Sequence, residues 1–206
     1  MVRDGLTSAA VEKLWLAFRS LVNVRPPWPA PAEVLAAQEE LRQGLMAEAG
    51  IATLADTTAS PAEPRLRLWR GDITTLAVDT IVTAANSGMT GCYIPNHRCI
   101  DNAIHTYAGV ELRLACAELM EQQGHPEPTG QAKITPAFNL PCRYVLHTVG
   151  PIIDGRVTKE DKELLASCYR SCLELAAENG LESVAFCCIF HGEFYFTNDP
   201  GARIAV

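Results

Sequence analysis

"VDTIVTAANSGMTGCYIPNHRCIDNAIHTYAG", running from Val78 to Gly109, changes character twice. Its first part is a short apolar run rich in β-branched residues that ends at Asn86, the pattern of a buried strand closing in a turn. Glycine, proline and polar residues come next, with Cys92, His97 and Cys99 among them. From Cys99 the apolar residues recur at helical spacing, and the pattern predicts a helix over residues 99–123. Strand, polar loop and helix in this order predict an α/β architecture.

The same alternation continues on both sides. "RLRLWRGDI" (residues 65–73) alternates as a strand, and "AKITPAF" (132–138) and "RYVLHTVG" (143–150) read as two more. "KEDKELLASCYRSCLELAAENG" (159–180) is an amphipathic helix stopped by glycine, and "LESVAFCCI" (181–189) is a buried strand. Strands alternating with helices give a sandwich of helices around a mostly parallel sheet. Ligands of such sheets bind outside the carboxyl ends of the strands. Those ends are Gly71-Asp72, Asn86-Ser87, Gly150-Pro151 and the segment Phe190 to Phe194.

Upstream, Val11, Leu14, Trp15, Phe18, Leu21 and Val22 mark a helix over residues 8–22, which "RPPWPAP" (25–31) breaks. A second helix starts at Pro31 or Glu33 and runs to about Ala49, where Gly50 stops it. "ADTTASPAEP" (55–64) is a polar linker. Residues 1–64 are therefore expected to be a helical extension with its linker, and residues 65–206 the main domain.

Composition narrows the functional classes. Of the 206 residues 48% are hydrophobic and 20% charged, enough for a sizeable core. A formal charge of −7 argues against a general nucleic-acid binder, which needs a basic face. It leaves room for a small phosphate-bearing ligand held by backbone N–H groups. No apolar run approaches a membrane span, and "MVRDGLTSAAVEKLWLAF" lacks the features of a secretory signal. Eight cysteines without such a signal point to thiols in a reducing, cytoplasmic compartment. Cys116, Cys142, Cys168, Cys172 and Cys187 lie in apolar patterns and read as small buried hydrophobes.

Cys92, His97 and Cys99 differ, being surrounded by Gly, Pro and Asn in a C-x4-H-x-C arrangement. Thiolate and imidazole are zinc's preferred ligands, and three of them leave a fourth position open. The same residues also fit a loop whose thiols fall together by chance. Asp101, at the start of the helix, suits the helix dipole, or acts as an acid/base group beside a metal. His105, one turn on, reads by default as a buried, hydrogen-bonded histidine. Asp72 and Asn86 end strands, where such residues make Asx turns or offer hydrogen bonds to a ligand. Gly192 after a buried strand either marks a surface turn at the strand end or lets the backbone approach a phosphate, with aromatic residues beside it.

Taken in order, "GDIT", "DTIVTAAN", "CIDNAIHTYAG", "TGQAKITPAF", "YVLHTVGP" and "SVAFCCIFHGEF" resemble the macrodomain family of ADP-ribose-binding modules. "SGMTGCYIPNHRCIDNAIH" and the N-terminal "NVRPPWPAP" are similar to its zinc-dependent, protein-ADP-ribose hydrolase branch. The resemblance implies a three-layer α/β/α fold binding ADP-ribose at the strand ends. It makes Asp72 the acceptor for the adenine amine with Ile73 beside it, and Asn86 a contact to the distal ribose. Cys92, His97 and Cys99 would hold zinc, and Asp101 would stand next to the scissile bond. The backbone of Phe190, His191, Gly192 and Glu193 would cradle the diphosphate, with Phe194 against the ribose.

Where relatives carry a segment resembling "STG", this chain has Phe190, His191 and Gly192, which adds bulk at the phosphate site. Relatives also continue with further elements, so a C-terminally shortened domain is expected. Asp199 and Pro200 look like a helix cap, but residues 201–206 are too few for a helix standing alone. The implied activity is zinc-dependent removal of ADP-ribose from mono-ADP-ribosylated proteins, with a sirtuin-like transferase as a partner. The rival is a non-catalytic reader of ADP-ribose.

Overall fold

The computed structural model of the protein describes residues 7–189 and 198–206. Helix α1 (Ser8–Val24) begins where the Thr7 hydroxyl accepts from the Ala10 N–H at 3.3 Å. Helix α2 (Ala32–Ala49) ends at Gly50, whose positive φ of 77° suits a residue without Cβ. Two short strands come next, β1 (Thr58–Ala59) and β2 (Arg67–Leu68), paired antiparallel. The main sheet is built from β3 (Thr80–Ala85), β4 (Ala132–Pro136), β5 (Tyr144–Val149) and β6 (Val184–Phe186). Its order is β4-β5-β3-β6, with β3 parallel to β5 and to β6, and β4 antiparallel at one edge.

Helices α3 (Ile100–Ala108) and α4 (Val110–Gln123) cover one face, where Ile104, Ala108, Leu112 and Cys116 pack on Ile81 and Val145. Helix α5 (Lys159–Glu178) covers the other, with Leu165, Cys168 and Cys172 on Val82 and Leu146. Successive residues of β3 and β5 thus feed opposite cores, as the period of two in a strand requires. This is the expected three-layer α/β/α sandwich with a mixed sheet. Among the described residues no helix is long and apolar enough to cross a membrane.

Four local expectations change. The supposed linker contains β1, because its backbone finds a partner in β2. "RLRLWRGDI" accordingly yields only that two-residue strand, set in a separate hairpin. The helix over 99–123 is two helices, divided at Gly109 with φ 108°. Helix α6 (Asn198–Ala205) forms as well, with Ile204 and Ala205 packed against the α5 core. Tertiary contact supplies what local propensity lacks there. On α1, Leu14 and Leu21 are 57% and 69% exposed, while Asn23 is fully buried.

Candidate functional site

The loop after β3 is shaped by its own polar groups. The Asn86 carboxamide oxygen accepts from the Gly88 N–H at 2.9 Å, and its NH2 donates to the Gly91 carbonyl at 3.2 Å. Asn86 is thus an Asx turn at the exposed mouth of β3. Gly91, at φ 88°, lies flat on the His105 imidazole, and a Cβ there would stand 2.9 Å from the ring carbons. The chain can then pass close over α3 and deliver Cys92 beyond it.

Cys92, His97 and Cys99 do converge. Their donor atoms all lie within 4.8 Å of one another, and Cys92 Sγ is 3.4 Å from His97 Nδ1. All three are half-buried. Cys99 is also the N-cap of α3, its sulfur accepting from the Asn102 N–H at 3.3 Å. Burial pushes the Cys99 thiol up to about 12, and the neighbouring Cys92 and Asp101 push the same way. A cation reverses that balance, because a coordinating thiol is deprotonated outright. Two sulfurs and one ring nitrogen fit zinc, with one tetrahedral position left for a ligand.

Asp101 sits in the first turn of α3 and is 4% exposed, so the helix dipole favours its carboxylate. Its Oδ1 is 3.6 Å from His105 Nε2. Burial, aided by His147 and Arg113, holds the His105 pKa well below the usual imidazole value. The ring is therefore neutral, and the 3.6 Å approach is not an ion pair. His105, Cys116 and His147 form a second, fully buried cluster of donors. There His147 Nε2 is held by the Thr135 hydroxyl at 2.8 Å, and Arg113 adds positive charge beside His105. Both features disfavour a cation in that cluster.

Asp72 also closes an Asx turn, its Oδ1 accepting from the Thr74 N–H at 3.0 Å and from the Thr74 hydroxyl at 2.7 Å. The residue is exposed and lines a cleft of about 500 Å³ together with Trp69, Gly71 and Ile51. Ile73 is half-buried against the α3 core. Phe190, His191, Gly192, Glu193 and Phe194 lie outside the described residues.

Several residues at the loop were missed in the sequence. Arg19 and Asn23 of α1, and Arg113 of α4, hold it from outside. A polar Asn23 adjoining the apolar stripe of α1 was the available signal, since buried polar groups need partners.

A helix-flanked mixed sheet places a soft-donor cluster and a buried carboxylate beyond the carboxyl end of β3, where ligands of such α/β sheets bind. The chain matches the Macro domain family over residues 82–205, and it belongs to that family. It is 58% identical over 195 residues to the "Protein-ADP-ribose hydrolase" of Treponema medium, covering 93% of this chain and 74% of the relative. The protein of the same name from Staphylococcus aureus (strain MSSA476) is 48% identical over 199 residues, covering 96% and 74%. A Trypanosoma brucei macrodomain solved in complex with ADP-ribose superposes with a TM-score of 0.65 at 31% identity, covering 91% of this chain and 80% of that one.

Proposed function

We propose that this chain hydrolyses the glycosidic bond joining ADP-ribose to mono-ADP-ribosylated proteins, with a zinc ion held by Cys92, His97 and Cys99. The observation that carries the reading is the convergence of those three donors two residues ahead of the buried Asp101. A reader of ADP-ribose needs a cleft, but it needs neither of these groups. The names of the two relatives at 58% and 48% identity support the same activity.

Zinc held by Cys92, His97 and Cys99 would supply Lewis acidity to the reaction. Asp101, whose carboxylate the start of α3 favours, orients the attacking water and takes its proton as the new C–O bond forms. The anomeric carbon loses its bond to the protein side chain through an oxocarbenium-like transition state; the side chain leaves with the bonding electron pair and is protonated from solvent, to which Asp101 returns the proton it took. Asp72 receives the adenine amine, and Ile73 packs beside the base. Asn86, locked by its turn, offers its polar edge to the distal ribose. On the resemblance alone, the backbone of Phe190, His191, Gly192 and Glu193 is assigned to the diphosphate and Phe194 to the ribose, contacts that would fix the reacting carbon in place. A sirtuin-like transferase is the proposed source of the modification, on the strength of the resemblance alone.

The test is ADP-ribose release from a mono-ADP-ribosylated protein, with zinc-loaded chain and after chelation. Release that collapses on chelation and returns with zinc supports the full reading. Release unaffected by chelation removes zinc from it. Binding of ADP-ribose without any release would make the chain a reader.

A further inference from the structure

The turn between the first two metal ligands, residues 94–97, is held from elsewhere in the chain. The His97 N–H donates to the Ile94 carbonyl at 3.2 Å, which closes the turn, and Asn96 adopts a left-handed φ of 56°. An isolated loop with such a residue has no strong reason to keep one shape. Here its backbone groups are taken up one after another. The Asn96 N–H donates to Asn23 Oδ1 at 2.9 Å. The His97 carbonyl accepts from Arg19 Nη2 at 2.7 Å, and that nitrogen also donates to Asn102 Oδ1 at 2.8 Å. Asn102 in turn donates to the Ile94 carbonyl at 3.1 Å.

The far side of α1 is anchored too. Asn23 Nδ2 donates to the Thr106 hydroxyl at 2.9 Å, which ties α1 to α3. Arg113 Nη1 reaches the carbonyls of Val22, Asn23 and Arg25 at 3.3, 2.7 and 2.6 Å. These are the unpaired acceptors that every helix C-terminus leaves. The same guanidinium lies 4.3 Å from the centre of the Tyr93 ring, next to Cys92. Cys92 and His97 are therefore both braced by α1, one through Arg113 and Tyr93 and the other through Arg19 and Asn23.

We propose that the last two turns of α1 are a positioning strut for the metal loop, in which Arg19 and Asn23 set the affinity for zinc by fixing His97 and Asn96. The proposal rests on the zinc reading above and adds to it the residues that make the donor set rigid before metal arrives. Neither residue touches metal or substrate. A preformed loop spares the metal the entropy of ordering it, and groups that orient ligands typically change metal affinity by about 10- to 100-fold.

The experiment measures the zinc dissociation constant of the whole chain by competition with a chromophoric chelator. It compares wild type, Arg19→Ala, Arg19→Lys, Asn23→Ala and, as an exposed control, Arg65→Ala. Thermal unfolding of each chelator-stripped protein is followed in parallel, because Asn23 is fully buried and its loss threatens folding. Arg19 is only half-buried, which makes its variants the decisive ones. Arg19→Ala is expected to bind zinc about 10- to 100-fold more weakly while still folded. Arg19→Lys, which keeps the charge without the fork, falls between it and wild type, and Arg65→Ala is unchanged. A folded Arg19→Ala that binds zinc as tightly as wild type overturns the strut and leaves the zinc reading standing. A wild-type chain that takes up no zinc overturns both.

Discussion

Asp101 shows how much one residue's placement decides. A carboxylate in the first turn of a helix is stabilised wherever it falls, so the dipole alone explains an acidic residue there. It does not explain why the residue is 4% exposed, two residues past a candidate metal ligand. Asp101→Asn keeps the shape and removes the charge. Its expected effect is a loss of about 10²- to 10⁴-fold in the rate of ADP-ribose release, the range of general base catalysis. Zinc content, read by metal analysis, should stay at the wild-type level. Activity within about tenfold of wild type would reduce Asp101 to a helix-dipole partner. Cys99→Ser, in contrast, should lose zinc and activity together, since it removes a proposed ligand while its oxygen can still cap α3.

At the scale of elements, the junction of α3 and α4 is where tertiary structure overrode the sequence pattern. The apolar spacing continues through residues 99–123, so nothing in the periodicity announces a break. The break is set by α2. Gln38 Oε1 accepts from the Val110 N–H at 2.9 Å, capping α4, and its amide lies where a Cβ on Gly109 would be. Gly109→Ala therefore combines a collision with a forbidden φ, and it should cost about 2 kcal/mol in a urea titration. The strands β3 and β5 were legible as short apolar runs closed by turn residues, and helix α5 as an apolar stripe at helical spacing. The convergence of the Cys/His loop was legible because its three donors lie within eight residues of chain. The hairpin β1–β2 was not, since pairing depends on a partner and not on local pattern. Arg19 and Asn23 were hidden for the same reason. Their role comes from contacts 73 to 83 positions away, which no local window contains.

For the whole molecule, buried titratable groups predict how stability responds to acid. His105 and His147 sit in the core, and burial is the leading cause that lowers both, His147 to about 4. Unfolded imidazoles titrate near 6.5. Between those limits the unfolded chain binds more protons than the folded one, so stability rises with pH there and is lost as pH falls. Asp79 adds a second limb. Its Oδ2 accepts from the Glu182 N–H, the Ser183 N–H and the Ser183 hydroxyl at 2.9, 3.0 and 3.0 Å, joining the starts of β3 and β6. Those bonds, the one from Glu182 foremost, hold its pKa below the usual carboxylate value. Its contribution is therefore complete above about pH 4 and disappears as pH falls through the lowered value. Urea midpoints measured from pH 7.5 downward, with chelator present so that metal release adds no protons, separate the two limbs. The wild-type slope below pH 6.5 should approach about 2.7 kcal/mol per pH unit, two protons taken up on unfolding. His147→Gln should bring it toward half that value whatever it does to stability at neutral pH. Asp79→Asn should lower stability by about 2 kcal/mol at pH 7 and leave the histidine slope intact, its deficit narrowing only below about pH 4. A wild-type curve flat between pH 6.5 and 5 would mean that the two imidazoles reach water in the native state, and the tight core between α3 and β5 would have to open to let them.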